Sequence, residues 1–215
     1  MHRILALAMM ALAIASSAAA QNSRVSGLAV DDRFLEANAG FSWYSPRGSA
    51  WGMITNRRVY LTGVRSEWVL EAEGRLAWAY LVEFVPVAII ERTRAGETLY
   101  CRPSGVCEVD RSTDVAVGTG IAPAGIKMYV NHTGRTRVFG SASAGMIAFS
   151  TDVPVYSSRR LNFMLDYGLG VDVALPDGRA ATIGYRFHHI SNAGSGRVNP
   201  GLDANIIYVG LRRKR

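Results

Sequence analysis

Leu161-Asn162-Phe163-Met164-Leu165-Asp166-Tyr167-Gly168-Leu169-Gly170-Val171-Asp172-Val173-Ala174-Leu175 is the stretch whose reading decides the fold. Its odd-numbered residues are all apolar, while the even-numbered ones include Asn162, Asp166, Gly168, Gly170, Asp172 and Ala174. A period of two sends alternate side chains to opposite faces, so this is a β-strand with one greasy face and one polar or small face. Strands in ordinary globular domains average about 5 to 6 residues, and this one is far longer. Such length, with carboxylates on the second face, fits a strand that crosses a membrane with its apolar side to lipid and its polar side in a barrel lumen.

Working outward, other segments fit the same scheme. Upstream lie Ala39 to Ser45 with Phe41 and Trp43 on one face, and Arg57 to Trp68 with Tyr60, Thr62 and Val64 set against Leu61, Gly63 and Arg65. Leu76 to Ile90 offers Leu76, Trp78, Tyr80, Val82, Phe84 and Ala88 outward and Glu83 inward. Val115 to Asn131, broken by Pro123, and Thr136 to Ser150 precede the deciding stretch; Gly178 to His189 and Leu202 to Leu211 follow it. The expected fold is all-β, an eight-stranded antiparallel transmembrane β-barrel whose interior side chains just fill. Inward Arg65, Glu83, Lys127, Asp166, Asp172 and Arg186 must then neutralise one another, because unpaired buried charge is expensive. Tight turns at Pro176-Asp177-Gly178 and Asn131-His132-Thr133-Gly134 alternate with longer links, as in outer-membrane barrels. An even strand count puts both termini at the short-turn side and the connection from His189 to Asp203 at the outer leaflet.

A basic start at His2 and Arg3, an apolar run from Ile4 to about Ile14 and the small residues Ala18-Ala19-Ala20 are the layout of a cleavable signal peptide, residues 1–20. The run is shorter than the roughly 20 apolar residues of a spanning helix. The remainder, 21–215, reads as one barrel domain with a short N-terminal segment over 21–36. The formal net charge of +7 falls to about +6 without Arg3, and by itself does not choose among anionic lipid, polysaccharide and nucleic acid. Cys101 and Cys107, in Cys-Arg-Pro-Ser-Gly-Val-Cys, read as a disulfide closing a small loop in an oxidising compartment. Two thiols without His or acid at ligand spacing do not make a metal site.

One set of residues has the makings of a hydrolase site. Ala181, Ile183, Tyr185, Phe187, His189 and Ser191 share one strand parity, which turns His189 and Ser191 outward toward lipid at the end of the strand. Asp203 shares its parity with Ile207, Val209 and Leu211, and so with Asn205, where the apolar rule is broken. A serine hydroxyl becomes a useful nucleophile when an imidazole takes its proton and a carboxylate orients that imidazole. Ser191, His189 and Asp203 fill those roles, and Asn192 stands beside the nucleophile as a donor to the oxyanion. On the outside of a barrel the substrate would be an ester lying in the membrane. Arg159, Arg160 and Arg197, on expected outer loops, could meet phosphates, with solvated loop charge as the plain alternative. The whole Ser191 to Gly196 run is equally readable as an ordinary loop, and His188, of the other parity, as a structural hydrogen bonder.

Phe187-x-His189-x-Ser191-Asn192-Ala193-Gly194, then Asn199-Pro200-Gly201 and an acid twelve residues after the serine, resembles the C-terminal motif of the lipid A 3-O-deacylase (PagL-type) outer-membrane enzymes. That resemblance implies an eight-stranded barrel that removes the ester-linked 3-position acyl chain of lipid A with Ser, His and Glu and with no cofactor. His189 and Ser191 match the His and Ser, Asn192 matches an Asn assigned to the oxyanion hole, and Asp203 stands where the family has Glu. Asp reaches about 1.5 Å less far than Glu, so the resemblance implies a tighter triad or a weaker acid. Lipopolysaccharide and the outer membrane are the implied partners, with no nucleic acid; a homodimer is left open. The basic end, Leu211-Arg212-Arg213-Lys214-Arg215, departs from the aromatic terminus typical of such barrels. A non-catalytic structural or adhesive barrel is the competing reading. A soluble lipid-binding barrel comes third, opposed by the greasy face of Leu161 to Leu175.

Overall fold

The computed structural model describes residues 27–43, 45–46, 51–92, 98–101, 105–110 and 115–215. The expected signal peptide, 1–20, lies outside the described residues. The strands are β1 (Arg33–Ser42), β2 (Arg57–Glu73), β3 (Leu76–Arg92), β4 (Thr98–Cys101), β5 (Cys107–Asp110), β6 (Val115–Val130), β7 (Thr136–Val153), β8 (Arg159–Ala174), β9 (Arg179–Ser191) and β10 (Leu202–Lys214). Eight of them close into an antiparallel barrel in the order β1-β10-β9-β8-β7-β6-β3-β2, and β4 and β5 form a separate hairpin in the β3–β6 connection. Closure removes the sheet edge, so every barrel strand has two neighbours to satisfy its backbone. In the hairpin Cys101 sits opposite Cys107, which is disulfide-bonded.

The deciding stretch behaves as its period demands: Leu161, Phe163 and Leu169 are 57%, 52% and 62% exposed, while Asn162 and Asp172 are 1% and 0%. The same inversion runs round the ring, with Trp68, Tyr80, Phe84, Ile121, Ile183 and Val209 exposed on the outer wall. An outside that is apolar and an inside that is charged is the opposite of a soluble barrel and matches a membrane-spanning one.

All six expected inward charges are buried, and they are joined by Glu36, Glu67 and Arg212. Lys127 Nζ lies 2.8 Å from Glu67 Oε1 and 3.4 Å from Asp172 Oδ2, and Arg212 bridges Glu67 and Asp172 at 3.0 Å each. Arg65 reaches Glu36 at 3.4 Å and Glu83 at 3.2 Å, and Arg186 holds Glu83 at 3.0 Å. Tyr129 and Thr182 donate hydroxyl hydrogens to Glu67 and Asp172 at 2.7 Å. Each charge loses its hydration on burial, a cost of several kcal/mol per ion, and the network offsets it by giving carboxylates more than one donor. His188 belongs here too: its Nδ1 is 2.8 Å from Asp166 Oδ1 on the lumen side.

The differences from the sequence reading have local causes. β1 starts at Arg33, not Ala39, so residues 33–36 of the expected N-terminal segment are strand. Its inward residues are Phe34, Glu36 and Asn38, a mostly polar set that hydrophobic periodicity does not register. Ala88, expected outward, is fully buried, because the pairing slips between Val85 and Ala88 around Pro86 and inverts the parity beyond it. Pro123 does not end its strand; β6 continues through a register shift between Ile121 and Ala124, and the Pro123 carbonyl accepts from the Tyr80 hydroxyl. A proline lacks the N–H of the ladder, and a bulge absorbs that loss. The Asp177-Gly178 turn has positive φ at both residues (60° and 69°), which suits a tight hairpin.

Candidate active site

β9 runs two residues past His189, so Ser191 is its last strand residue and the outward parity holds through both. Register pairs His189 directly with Asp203 on β10 and with Leu165 on β8, and pairs Ser191 with Phe163. Directly opposed residues in an antiparallel pair have Cβ atoms about 4.5–5.5 Å apart, so this register alone sets a carboxylate against the imidazole. The result is a 2.5 Å contact between His189 Nδ1 and Asp203 Oδ1. The shorter acid therefore reaches its histidine. Asp203 is wholly buried, and the imidazole is 15% exposed. An ionised Asp203 only accepts, which assigns the Nδ1 proton to the imidazole and leaves Nε2 with its lone pair as the acceptor.

Asp203 has a second set of partners that strand parity gives no hint of. Its Oδ2 accepts from Gly52 N at 2.8 Å and Trp51 N at 3.3 Å, both from the β1–β2 connection. A Cβ on Gly52 would lie 2.6 Å from Asp203 N, so only glycine lets the loop come this close. The Trp51 ring stands edge-on to His189 at 5.5 Å between centroids, and touches Phe187 at 5.8 Å and Tyr167 at 6.0 Å. The sequence offers only a Trp-Gly pair in a loop; loop docking across about 150 residues of chain leaves no periodic signal.

The connection after Ser191 is built around Asn192. Its side-chain Oδ1 accepts from Gly194 N at 3.0 Å and Gly196 N at 3.4 Å, and Nδ2 donates to Val198 O at 2.8 Å. Asn192 is fully buried, so the expected oxyanion donor sits next to Ser191 with one of its two amide hydrogens already engaged. The backbone N–H of Ala193 lies 3.3 Å from Ser191 Oγ. Arg159 and Arg160 are not loop residues but the first two of β8, and Arg159 clamps the loop by donating to Ser195 O at 3.0 and 2.9 Å. Arg160 and Arg197 are exposed at the long-loop end. Among the described residues, no three His, Cys, Asp or Glu side chains are gathered to hold a metal ion.

An apolar groove of about 380 Å³ opens at His189 and crosses the outer wall of β8, β7 and β6, lined by Leu165, Phe163, Met146, Ala144, Gly145 and Pro123. Small residues at its centre make the depression, and the flanking Met and Phe make its walls.

The fold has counterparts among solved structures. The crystal structure of the outer membrane enzyme PagL superposes with a TM-score of 0.57 at 16% identity, over 81% of this chain and 97% of that one. Neisserial surface protein A (NspA) superposes with a TM-score of 0.50 at 12% identity, over 85% and 97% of the two chains. At such identities the likeness is one of fold. Among curated proteins, none matches the chain. The family model for lipid A 3-O-deacylase (PagL), however, matches residues 38–212, from the first barrel strand into the last. The chain therefore belongs to the lipid A 3-O-deacylase (PagL) family.

Proposed function

We propose that this protein hydrolyses an ester-linked acyl chain of lipid A in the outer leaflet of the outer membrane, with Ser191 as nucleophile, His189 as general base and then acid, and Asp203 as the orienting acid. The observation that carries this reading is the His189–Asp203 contact on the lipid-facing wall, beside a serine of the same parity. Residues two apart on a strand are about 6.6–6.8 Å apart, within joint reach of an imidazole and a hydroxyl. Ser191 Oγ attacks the acyl carbonyl while His189 Nε2 takes its proton; the same proton then passes to the sugar oxygen as it leaves. Water, activated by His189, releases the fatty acid from the acyl-enzyme. Asp203 keeps the proton on Nδ1 and stabilises the imidazolium that forms. The Ala193 N–H, with the second amide hydrogen of Asn192, is the donor set we assign to the oxyanion.

Outward placement selects the substrate. A water-soluble ester has no reason to visit an apolar wall, whereas an acyl chain already in the leaflet can slide into the groove beneath His189. Exposed Arg160 and Arg197 at the long-loop end suit the phosphates of the glycolipid. Purified protein folded in detergent should release a hydroxy fatty acid from lipopolysaccharide. Ala144→Trp should fill the groove without disturbing an apolar outer wall. It is expected to lower kcat/KM on lipopolysaccharide on the order of tenfold, equal to about 1.4 kcal/mol, and to spare an ester with a short acyl chain. Equal losses on both substrates would show that the chain lies elsewhere.

A further inference from the structure

Trp51 and Gly52 lie far from Asp203 in sequence but against it in space, and their connection is anchored to β10. Met53 N donates to Pro200 O at 2.7 Å, and Ile54, almost fully buried, pairs with Leu202 in a parallel bridge. The amides of Trp51 and Gly52 are thus held relative to the strand that carries Asp203. One carboxylate oxygen meets His189 while the other meets these two N–H groups. With both oxygens engaged the carboxylate cannot rotate away from the imidazole, and charge-assisted hydrogen bonds of this kind are stronger than neutral ones. The indole packs edge-on against the imidazole while remaining half exposed on the lipid-facing wall.

We infer that Trp51 and Gly52 are positioning residues for hydrolysis: their backbone amides hold the Asp203 carboxylate, and the Trp51 ring braces the His189 imidazole in line with it. This rests on the proposed deacylase reading. It also accounts for how an acid one methylene shorter than glutamate serves, since the β1–β2 loop fixes from outside what a longer side chain would otherwise have to reach for. Seating the indole needs an apolar wall and an interfacial setting, where tryptophan is favoured. Alignment of the acid is thereby tied to the loop's docking at the membrane surface.

The test compares wild type with Trp51→Ala, Trp51→Phe and Gly52→Ala, each confirmed as folded by its heat-modifiable migration, on lipopolysaccharide in detergent. Both alanine variants should lose between about ten- and a hundredfold in kcat, the scale expected of a slightly misplaced catalytic group, with KM within about twofold of wild type. Trp51→Phe, which keeps an aromatic face, should recover most of that loss relative to Trp51→Ala. A second readout is independent of turnover: the downfield proton resonance of a short imidazole–carboxylate hydrogen bond, present in wild type and lost or broadened in Gly52→Ala. Wild-type kcat in both alanine variants, a loss confined to KM, or a resonance unchanged by Gly52→Ala would each overturn the inference. Wild type that releases no fatty acid would instead overturn the deacylase reading, and the resonance would still decide the clamp.

Discussion

Ser191→Ala and His189→Asn each remove about 10⁵–10⁶ of kcat if the site works as a Ser-His-acid hydrolase, and the double variant is no slower than either alone. The nucleophile and its base act as one unit, so losing one makes the other useless. Asp203→Asn should cost less, about 10⁴, because the nucleophile and base remain while the imidazole loses its partner and its tautomer. That ordering follows from geometry: Asp203 meets the imidazole at Nδ1, whereas proton transfer with the serine runs through Nε2. Rates of fatty-acid release from lipopolysaccharide, measured on heat-modifiable protein, check it. An Asp203→Asn variant as slow as Ser191→Ala would mean that the buried acid does more than orient.

The second large effect concerns the barrel interior. Lys127→Met should destabilise the fold by about 3–5 kcal/mol, the usual consequence of removing one partner from a buried ion pair. Lys127 lies 2.8 Å from Glu67, 3.4 Å from Asp172 and 3.9 Å from Glu36, and without it these carboxylates share Arg212, Arg65 and the hydroxyls of Tyr129 and Thr182. A methionine fills the space but neutralises nothing. Adding Asp172→Asn should restore part of the loss, since one negative charge goes with the missing positive one. The midpoint of urea unfolding in lipid vesicles reads both. A single variant as stable as wild type would show that the network is not what balances these charges.

Much of the barrel was legible because membrane strands are long and invert the usual pattern. Leu161 to Leu175 announces its two faces without any partner, and the tight Asp177-Gly178 turn fixes where the chain reverses. What period two hid had two physical causes. Glu36, Glu67 and Arg212 are inward because the lumen is a polar network, and no apolar residue marks their side as inner. Ala88 was misplaced because Pro86 shifts the register, and a shift of one residue turns every later side chain over. At the site, His189, Ser191 and Asp203 follow from parity and register. Trp51 and Gly52 do not, because a loop laid across the end of β10 is held through its backbone amides, which leave no periodic side-chain signal. Arg159 shows the same limit: as a charge near a loop it suggested phosphate, and in the structure its guanidinium is on Ser195 O.

The central claim is that this barrel cuts an ester of lipid A with Ser191. Mass spectrometry of lipid A before and after incubation with wild type and with Ser191→Ala tests it most directly. The account predicts that wild type shifts the lipid A mass down by one hydroxyacyl chain and that Ser191→Ala leaves the mass unchanged. An unchanged mass with folded wild type, or the same loss with Ser191→Ala, would contradict it.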